Sequence, residues 1–403
     1  MKKESARVAF FSCVYHEMDG VAKTSRHFEA YAERNELPLL MIHAGPRGGV
    51  TTSGSVTRIE LQRSRLKFPL DQTHEFDLLF WRHRRKLESL VRDFRPDLIQ
   101  ITGPSDVGML GTWISQRMGI PLAATWQTNV HQYARRRAAA ALSFVPQAIT
   151  SKPLHAMESA IFTALARYYR IPQLLFAPNR ETMQSLEAAT GKPCFLMSHA
   201  VDTDVFRPEF RNRQGGPFQI GYVGRLTTEK GVRNLARLEE ALLSTGHQDF
   251  RIVVVGEGGE GAWLRKNLRQ ADFKGVLTGP ELSRAFADFD LLAFPSETDT
   301  FGLVVLEALA SGVPAVVTGS GGPKYSVRHG ITGYVANSFD EFAGYSASLM
   351  DQPDLLATMR TAAREEALKT SWDRIFDGVY ESYENVLFPS VLPESTVFDI
   401  ATT

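Results

Sequence analysis

Short apolar runs bounded by Gly, Pro, Ser or Asn alternate along this chain with longer segments of helical period. That is how a parallel sheet covered on both faces reads, because its strands are buried on either side and lose the polar alternation. In the first half the pattern predicts strands over 7–13, 39–43, 98–102, 122–125 and 174–177, with helices over 20–33, 75–94, 107–118 and 157–169 between them. Arg95-Pro96 closes one of those helices, since proline disfavours a helical residue before it. The second half repeats the grammar, with strands over 218–223, 251–255, 276–278, 291–294 and 315–318. Two doubly wound α/β units account for this most simply. Arg211-Asn212-Arg213-Gln214-Gly215-Gly216-Pro217 is polar and glycine-rich with no apolar period, and reads as the linker between them. The expected units are therefore 1–210 and 217–371, followed by a helix over 372–387 and a loosely held tail over 388–403.

At 403 residues the chain suits two cores better than one, and 43% hydrophobic content excludes disorder as its main state. Lys plus Arg equals Asp plus Glu at 45 each, which argues against a protein built to coat nucleic acid. The halves differ: residues 1–200 carry 26 basic and 17 acidic side chains, and the remainder 19 and 28. Cys13 and Cys194 make no disulfide framework or metal-ligand spacing, and point to a reducing, cytoplasmic setting. The N-terminal apolar run from Val8 to Phe11 is too short for a signal peptide, and no window has the length of a spanning helix. Contact with a membrane would come from outside it.

The densest candidate chemistry lies in SETDTFGLVVLEALASGVP, residues 296–314. A buried strand ends at Phe294, a polar turn follows, and a helix opens near Phe301-Gly302. Ligands of open α/β sheets bind at such strand ends, and a helix start offers free N–H groups and partial positive charge to a diphosphate. Gly302 allows close approach to the backbone. Asp299 and Glu307 flank this anion site, which makes sense if they accept hydrogen bonds from sugar hydroxyls. The residues alone leave an even alternative, in which Asp299 caps the helix and Glu307 is a buried polar group paired with backbone.

This segment resembles the signature of glycosyltransferase family 4, retaining enzymes of the GT-B fold, in which Glu, seven residues and Glu precede Ala-x-Ala-x-Gly-x-Pro. Asp299 holds the first acid position, one methylene short of the family's Glu, and Glu307 the second. The resemblance implies that Asp299 and the following Thr300, Phe301, Gly302 and Leu303 meet the donor sugar and its phosphates, and that Glu307 holds the ribose. Upstream, Gly224-Arg225 and Lys230-Gly231 resemble the family's Gly-Arg…Lys-Gly element, so Arg225 and Lys230 are expected to neutralise the leaving diphosphate. The alternative there is a surface ion pair with Glu229. Gly256 in Val255-Gly256-Glu257-Gly258 and the Thr278-Gly279-Pro280 turn resemble linings of the nucleotide pocket. Gly319 to Lys324 adds a flexible turn and a cation.

In the first half, His16-Glu17-Met18-Asp19-Gly20-Val21 resembles the family's Gly-Gly-Val loop with only Gly20 retained. Thr125-Trp126-Gln127-Thr128-Asn129 is similar to the His-Thr-Asn segment, with Gln127 where the family's histidine meets the reacting sugar. Glutamine donates hydrogen bonds but does not titrate, so His131 is a candidate substitute. Ser198-His199-Ala200-Val201-Asp202 to Pro208 is similar to a structural family element with Phe206 as its anchor. Basic clusters at Arg63/Arg65/Lys67, Arg82 to Lys86 and Arg135 to Arg137, interleaved with Phe68, Phe80, Trp81 and Phe144, are either solvated helix faces or a surface for anionic lipid.

The resemblance thus implies a GT-B fold, two doubly wound Rossmann-like units facing across a cleft. It further implies retaining transfer of a hexose from a nucleotide-diphosphate donor of the UDP-glucose or GDP-mannose type to a hydroxyl acceptor. With no Asp-x-Asp beside the donor elements and Arg225 and Lys230 in place of a metal, transfer is expected to be metal-independent, and the basic clusters make a membrane lipid a candidate acceptor beside a glycan. The donor is a co-substrate, and no cofactor is expected. Three other readings stand beside it: a donor-binding scaffold with little transfer, a GT-B sugar-nucleotide epimerase, and a phosphorylase, the last without a cofactor-lysine context in its favour.

Overall fold

The computed structural model describes residues 5–16, 20–69, 75–142 and 147–387. Its first sheet comprises β1 (Val8–Ser12), β2 (Leu39–Gly45), β3 (Gly49–Ser53) and β4 (Val56–Gln62). A small antiparallel pair follows, β5 (Lys67–Pro69) with β6 (Glu75–Asp77), and the first sheet resumes with β7 (Leu98–Ile101), β8 (Leu122–Thr125), β9 (Leu174–Ala177) and β10 (Cys194–Leu196). The second sheet comprises β11 (Phe218–Val223), β12 (Phe250–Val255), β13 (Ala271–Gly275), β14 (Leu291–Phe294), β15 (Ala315–Thr318) and β16 (Gly333–Ala336).

Strand order in the second sheet is β13-β12-β11-β14-β15-β16, the doubly wound dinucleotide-binding arrangement, and all its ladders are parallel. The first sheet runs β10-β9-β8-β7-β1-β2-β4-β3 and is parallel except where β3 turns back on β4. Strand order reverses between β1 and β7 in one sheet and between β11 and β14 in the other, and clefts open at such switch points.

The apolar runs are buried on both faces because each face has its own core. Ala9, Phe11, Leu40 and Ile42 pack on one side of the first sheet, and Val8, Phe10, Leu39 and Met41 on the other. The second core gathers Ile220, Tyr222, Val253 and Leu292 with Val305 and Leu309 of the helix Leu303–Ala310. The C-terminal helix Trp372–Leu387 belongs to the first unit's packing. Phe376, Val379, Tyr380 and Tyr383, on one face at helical spacing, are buried with Phe10 and Phe28. The 388–403 tail lies outside the described residues, and among the described residues no helix is long and apolar enough to cross a membrane.

Several elements depart from the sequence pattern for identifiable reasons. The helix expected over 75–94 is instead β6, a 3-10 turn Phe80–His83 and the helix Arg84–Phe94. Asp77 breaks it: its buried carboxylate accepts the Leu79 amide at 2.8 Å, an Asx-type turn, and also the Ser64 amide at 2.6 Å. The strand expected over 276–278 is a loop. The true strand, β13, ends at Gly275 (φ +67°), and Val276 and Leu277 are apolar because they line a cavity. The stretch 211–217 is packed rather than free, with Arg211 and Arg213 both bonded to Asp290 at 2.6 and 2.9 Å. Just before it, Val201 and Phe206 already lie in the second core.

Asp77 also provides a pH test of the first unit. Burial alone would raise its carboxyl, but the Ser64 hydroxyl and amide, Arg82 and the Leu79 amide outweigh burial and hold it at about 2, against an ordinary 3.8. Its contribution to stability, roughly 2 kcal/mol, is fully present above the unfolded value and lost as pH falls through the folded one. Urea unfolding of wild type and Asp77→Asn should therefore diverge at neutral pH and converge near about pH 2.

Candidate functional site

A cavity of about 920 Å³ lies between the two units, at the carboxyl ends of both sheets. β11 delivers Gly224 and Arg225 to it, β12 delivers Gly256 and Glu257, and the turn after β14 delivers Asp299 and Thr300. Gly20, Gln127, Lys230, Phe301, Gly302, Leu303 and Glu307 also line it. Thus all the candidate catalytic and substrate-binding residues but one meet in a single space, whereas the Gly319–Lys324 turn does not line it and its cation, Lys324, is paired with Glu181 at 2.9 Å.

The exception is His131. It sits in the helix Val130–Ala141 and is turned against Phe162 and Trp126, with ring centroids 5.2 and 5.9 Å away, and it does not line the cavity. Burial lowers its pKa from the ordinary value. It is a packed residue, and of the two Gln127 alone lines the cavity, with a buried Oε1 that has no partner. Glu17, Met18, Asp19 and Phe144 lie outside the described residues, as do the side chains of Lys67 and Phe68.

Glycines bring backbone close to the ligand space. Gly256 (φ +131°) stands against Gly224, where an added Cβ would lie 2.0 Å from the Gly224 carbonyl oxygen, so the two strand ends close up only without side chains. Gly302 adopts a left-handed conformation (φ +84°) immediately before the helix Leu303–Ala310, and no side chain caps that helix. Its first turn therefore keeps free amides beside the cavity. Gly321 and Gly322 press against the 297–300 turn from behind. A Cβ on Gly322 would lie 1.8 Å from the Thr300 carbonyl oxygen, so this loop is a packed support rather than a flexible turn.

The two acids are each held by a lysine. Lys230 donates to Asp299 Oδ1, both side chains being almost wholly buried, while Asp299 Oδ2 has no partner. Burial works against the Lys230 ammonium, but the Asp299 carboxylate outweighs it and raises the lysine's pKa. Glu307 accepts from Lys23, a residue of the first unit. No motif marks Lys23 in the chain, and its place one turn beyond Gly20 is its one signal there. His199, in a segment similar to a structural family element, is a further case. That histidine lines the cavity, packs on Phe301 at 4.6 Å, and is held neutral by burial at a pKa of about 4.

Glu229 is not the partner of Arg225 or Lys230. It is buried and bonded to Arg137 at 3.2 Å, while Thr298 Oγ1 donates to its backbone oxygen at 2.9 Å. Glu297 pairs with Arg136 and does not line the cavity. The basic run 135–137 is therefore consumed in ion pairs, since Arg135 takes Glu158 at 3.1 Å and the other two tie the units together. Asn179 Nδ2 donates to the Thr300 carbonyl at 2.6 Å and Thr300 Oγ1 to the Gln127 carbonyl at 2.8 Å, so the 299–300 turn is clamped from the first unit.

Two doubly wound units whose strand ends, with their glycines, cations and acids, converge on one interdomain cavity define the GT-B architecture. The fold is that of sucrose-phosphate synthase from Thermosynechococcus elongatus, with a TM-score of 0.74 over 96% of this chain and 100% of that one, at 16% identity. Residues 206–366 match the family model for glycosyl transferases group 1. The chain is 30% identical over 307 residues to a GDP-mannose-dependent alpha-mannosyltransferase of Mycobacterium tuberculosis, covering 73% of this chain and 75% of that protein. A protein of the same description from Corynebacterium glutamicum is 27% identical over 309 residues, covering 74% and 70%. The chain belongs to the glycosyl transferases group 1, glycosyltransferase family 4, and transfers sugar from a nucleotide sugar.

Proposed function

We propose that this protein is a retaining hexosyltransferase that takes mannose from GDP-mannose. What carries the reading is the convergence of Arg225, Lys230 and the uncapped start of the helix Leu303–Ala310 on the cavity that Asp299 and Glu307 also line. As the sugar leaves, negative charge grows on the diphosphate, and these cations and amides stabilise it without rearranging. Lys230 is already charged and oriented by Asp299. The unpartnered Asp299 Oδ2 and Gln127 Oε1 suit the sugar hydroxyls, and Glu307, once Lys23 yields, suits the ribose.

Both acids are matched to lysines rather than to each other, so they recognise hydroxyls and do not form the acid pair of a retaining hydrolase. The acceptor hydroxyl attacks from the face the diphosphate leaves, and a phosphate oxygen takes its proton. Arg225 and Lys230 supply the positive charge that a divalent ion would otherwise bring to the diphosphate, so transfer proceeds without metal. The choice of GDP-mannose rests on the two relatives described as GDP-mannose-dependent alpha-mannosyltransferases.

The acceptor is a lipid hydroxyl at an anionic membrane surface. Leu78, Leu79 and Trp81 are exposed beside Arg84, Arg85 and Lys86, an apolar and basic patch on the first unit. Vesicles containing anionic lipid should cosediment the protein, and charge reversal at Arg84 and Arg85 should weaken this; unchanged binding would remove the membrane from the account.

The deciding experiment incubates the protein with labelled GDP-mannose and a polar lipid extract in chelator, with NMR of the product's anomeric proton. An α-mannosylated lipid is expected. A β-linked product would overturn retention, an epimerised nucleotide would identify an epimerase, and bound donor with no product would identify a scaffold.

A further inference from the structure

On the first unit, three neighbouring strands bring together side chains that sugar transfer does not use. Ser12 pairs with His43 across β1 and β2, and His43 with Glu60 across β2 and β4, while His16 follows the end of β1. One ligating atom from each of His16, His43 and Glu60 lies within 4.8 Å of the others. His16 Nε2 is 3.5 Å from Glu60 Oε2. Donor atoms around a tetrahedral zinc ion stand at a similar spacing, roughly 3.3 Å, given bonds of about 2.0–2.1 Å.

The surroundings aim these atoms. His43 Nδ1 lies 3.2 Å from the Ala44 carbonyl, and donation there leaves the lone pair on Nε2, the arrangement that orients metal-binding histidines. The Tyr15 ring stacks on His43 at 4.1 Å and fixes its plane. Glu60 Oε1 accepts the Arg47 and Gly48 amides at 2.8 and 3.3 Å, leaving Oε2 for His16 or an ion. Gly45 makes room for that carboxylate, since a Cβ there would stand 2.4 Å from Glu60 Cδ.

We propose that His16, His43 and Glu60 form a binding site for a divalent cation of the zinc class. Two imidazoles and one carboxylate favour such an ion over magnesium or calcium, and leave a coordination position for water or an anionic group. His16 also lines the cleft, so the ion would tie the residues that follow β1, through His16, to β2 and β4 at the edge of that cleft. The site stands apart from the donor reading and does not depend on it.

The test uses the full chain without a histidine tag, stripped with chelator, then titrated with ZnCl2 by calorimetry and with CoCl2 by visible absorption. Wild type should take up one equivalent, show the intense d–d bands of low-coordinate cobalt, and gain thermal stability with zinc. His16→Ala and Glu60→Gln should lose all three, and Gly45→Ala should weaken binding by about tenfold to a hundredfold. His16 is half exposed, and glutamine can still accept from the Arg47 and Gly48 amides, so both variants should fold, as circular dichroism would verify. Absence of stoichiometric uptake by folded wild type, or equal uptake by the variants, would overturn the proposal.

Discussion

Replacing Lys230 with alanine will cost about 3–5 kcal/mol of stability and roughly a hundredfold to a thousandfold in transfer rate. The two losses have different origins. Stability falls because Asp299, with one oxygen already unpartnered, is left as a buried charge. Rate falls because, on the proposed mechanism, the departing diphosphate loses one of its two cations. Lys230→Ala/Asp299→Ala should therefore recover most of the stability and none of the rate, since removing both charges leaves nothing unpaired. Urea unfolding and initial rates on the single and double variants separate the two effects. A double variant no more stable than Lys230→Ala would mean that the ion pair is not what holds this turn.

Phe376→Ala will cost about 3–5 kcal/mol of stability. Phe376 is fully buried, meets the Phe28 ring edge to face at 5.2 Å, and has Trp372 at 5.4 Å and Tyr31 at 5.5 Å. It lies on a helix that follows the second unit in sequence but is buried in the first unit's core. Donor affinity per folded molecule should be unchanged, because the cations and acids proposed to hold the donor lie elsewhere. A loss below about 1 kcal/mol would show that the helix is only loosely applied.

Both effects were partly legible in the chain. The 372–387 helix could be read because Phe376, Val379, Tyr380 and Tyr383 recur at helical spacing, and four strands of the second sheet because β11, β12, β14 and β15 are short, mainly apolar runs; β16, with only Tyr334, Val335 and Ala336 after Gly333, gives no such run. What was lost involves partners distant in sequence. Arg211 and Arg213 looked like linker because Asp290, which they bind, lies more than seventy residues away. Val276 and Leu277 looked like a strand because a cavity wall and a sheet interior demand the same apolar side chains. Strand β3 gives no signal in the chain because GVTTS is almost wholly exposed and carries no buried alternation. His131 was plausible chemistry at a plausible spacing, yet the next helix turns its ring away from the cleft. Lys23 is the converse case, an ordinary helix lysine until the second unit brings Glu307 to it.

The central claim is that Arg225 and Lys230 form the diphosphate end of a nucleotide-sugar site at the carboxyl ends of the second sheet. The nearby carboxylates have other partners, Asp299 in Lys230 and Glu229 in Arg137, so Arg225→Ala takes neither of those ion pairs apart and is the cleaner variant. Calorimetric titration of GDP-mannose into chelator-treated wild type and Arg225→Ala tests it most directly. The account predicts saturable binding by wild type and a loss of about 1.5–3 kcal/mol, roughly tenfold to a hundredfold, in the variant. Equal affinity in a folded Arg225→Ala protein would contradict it.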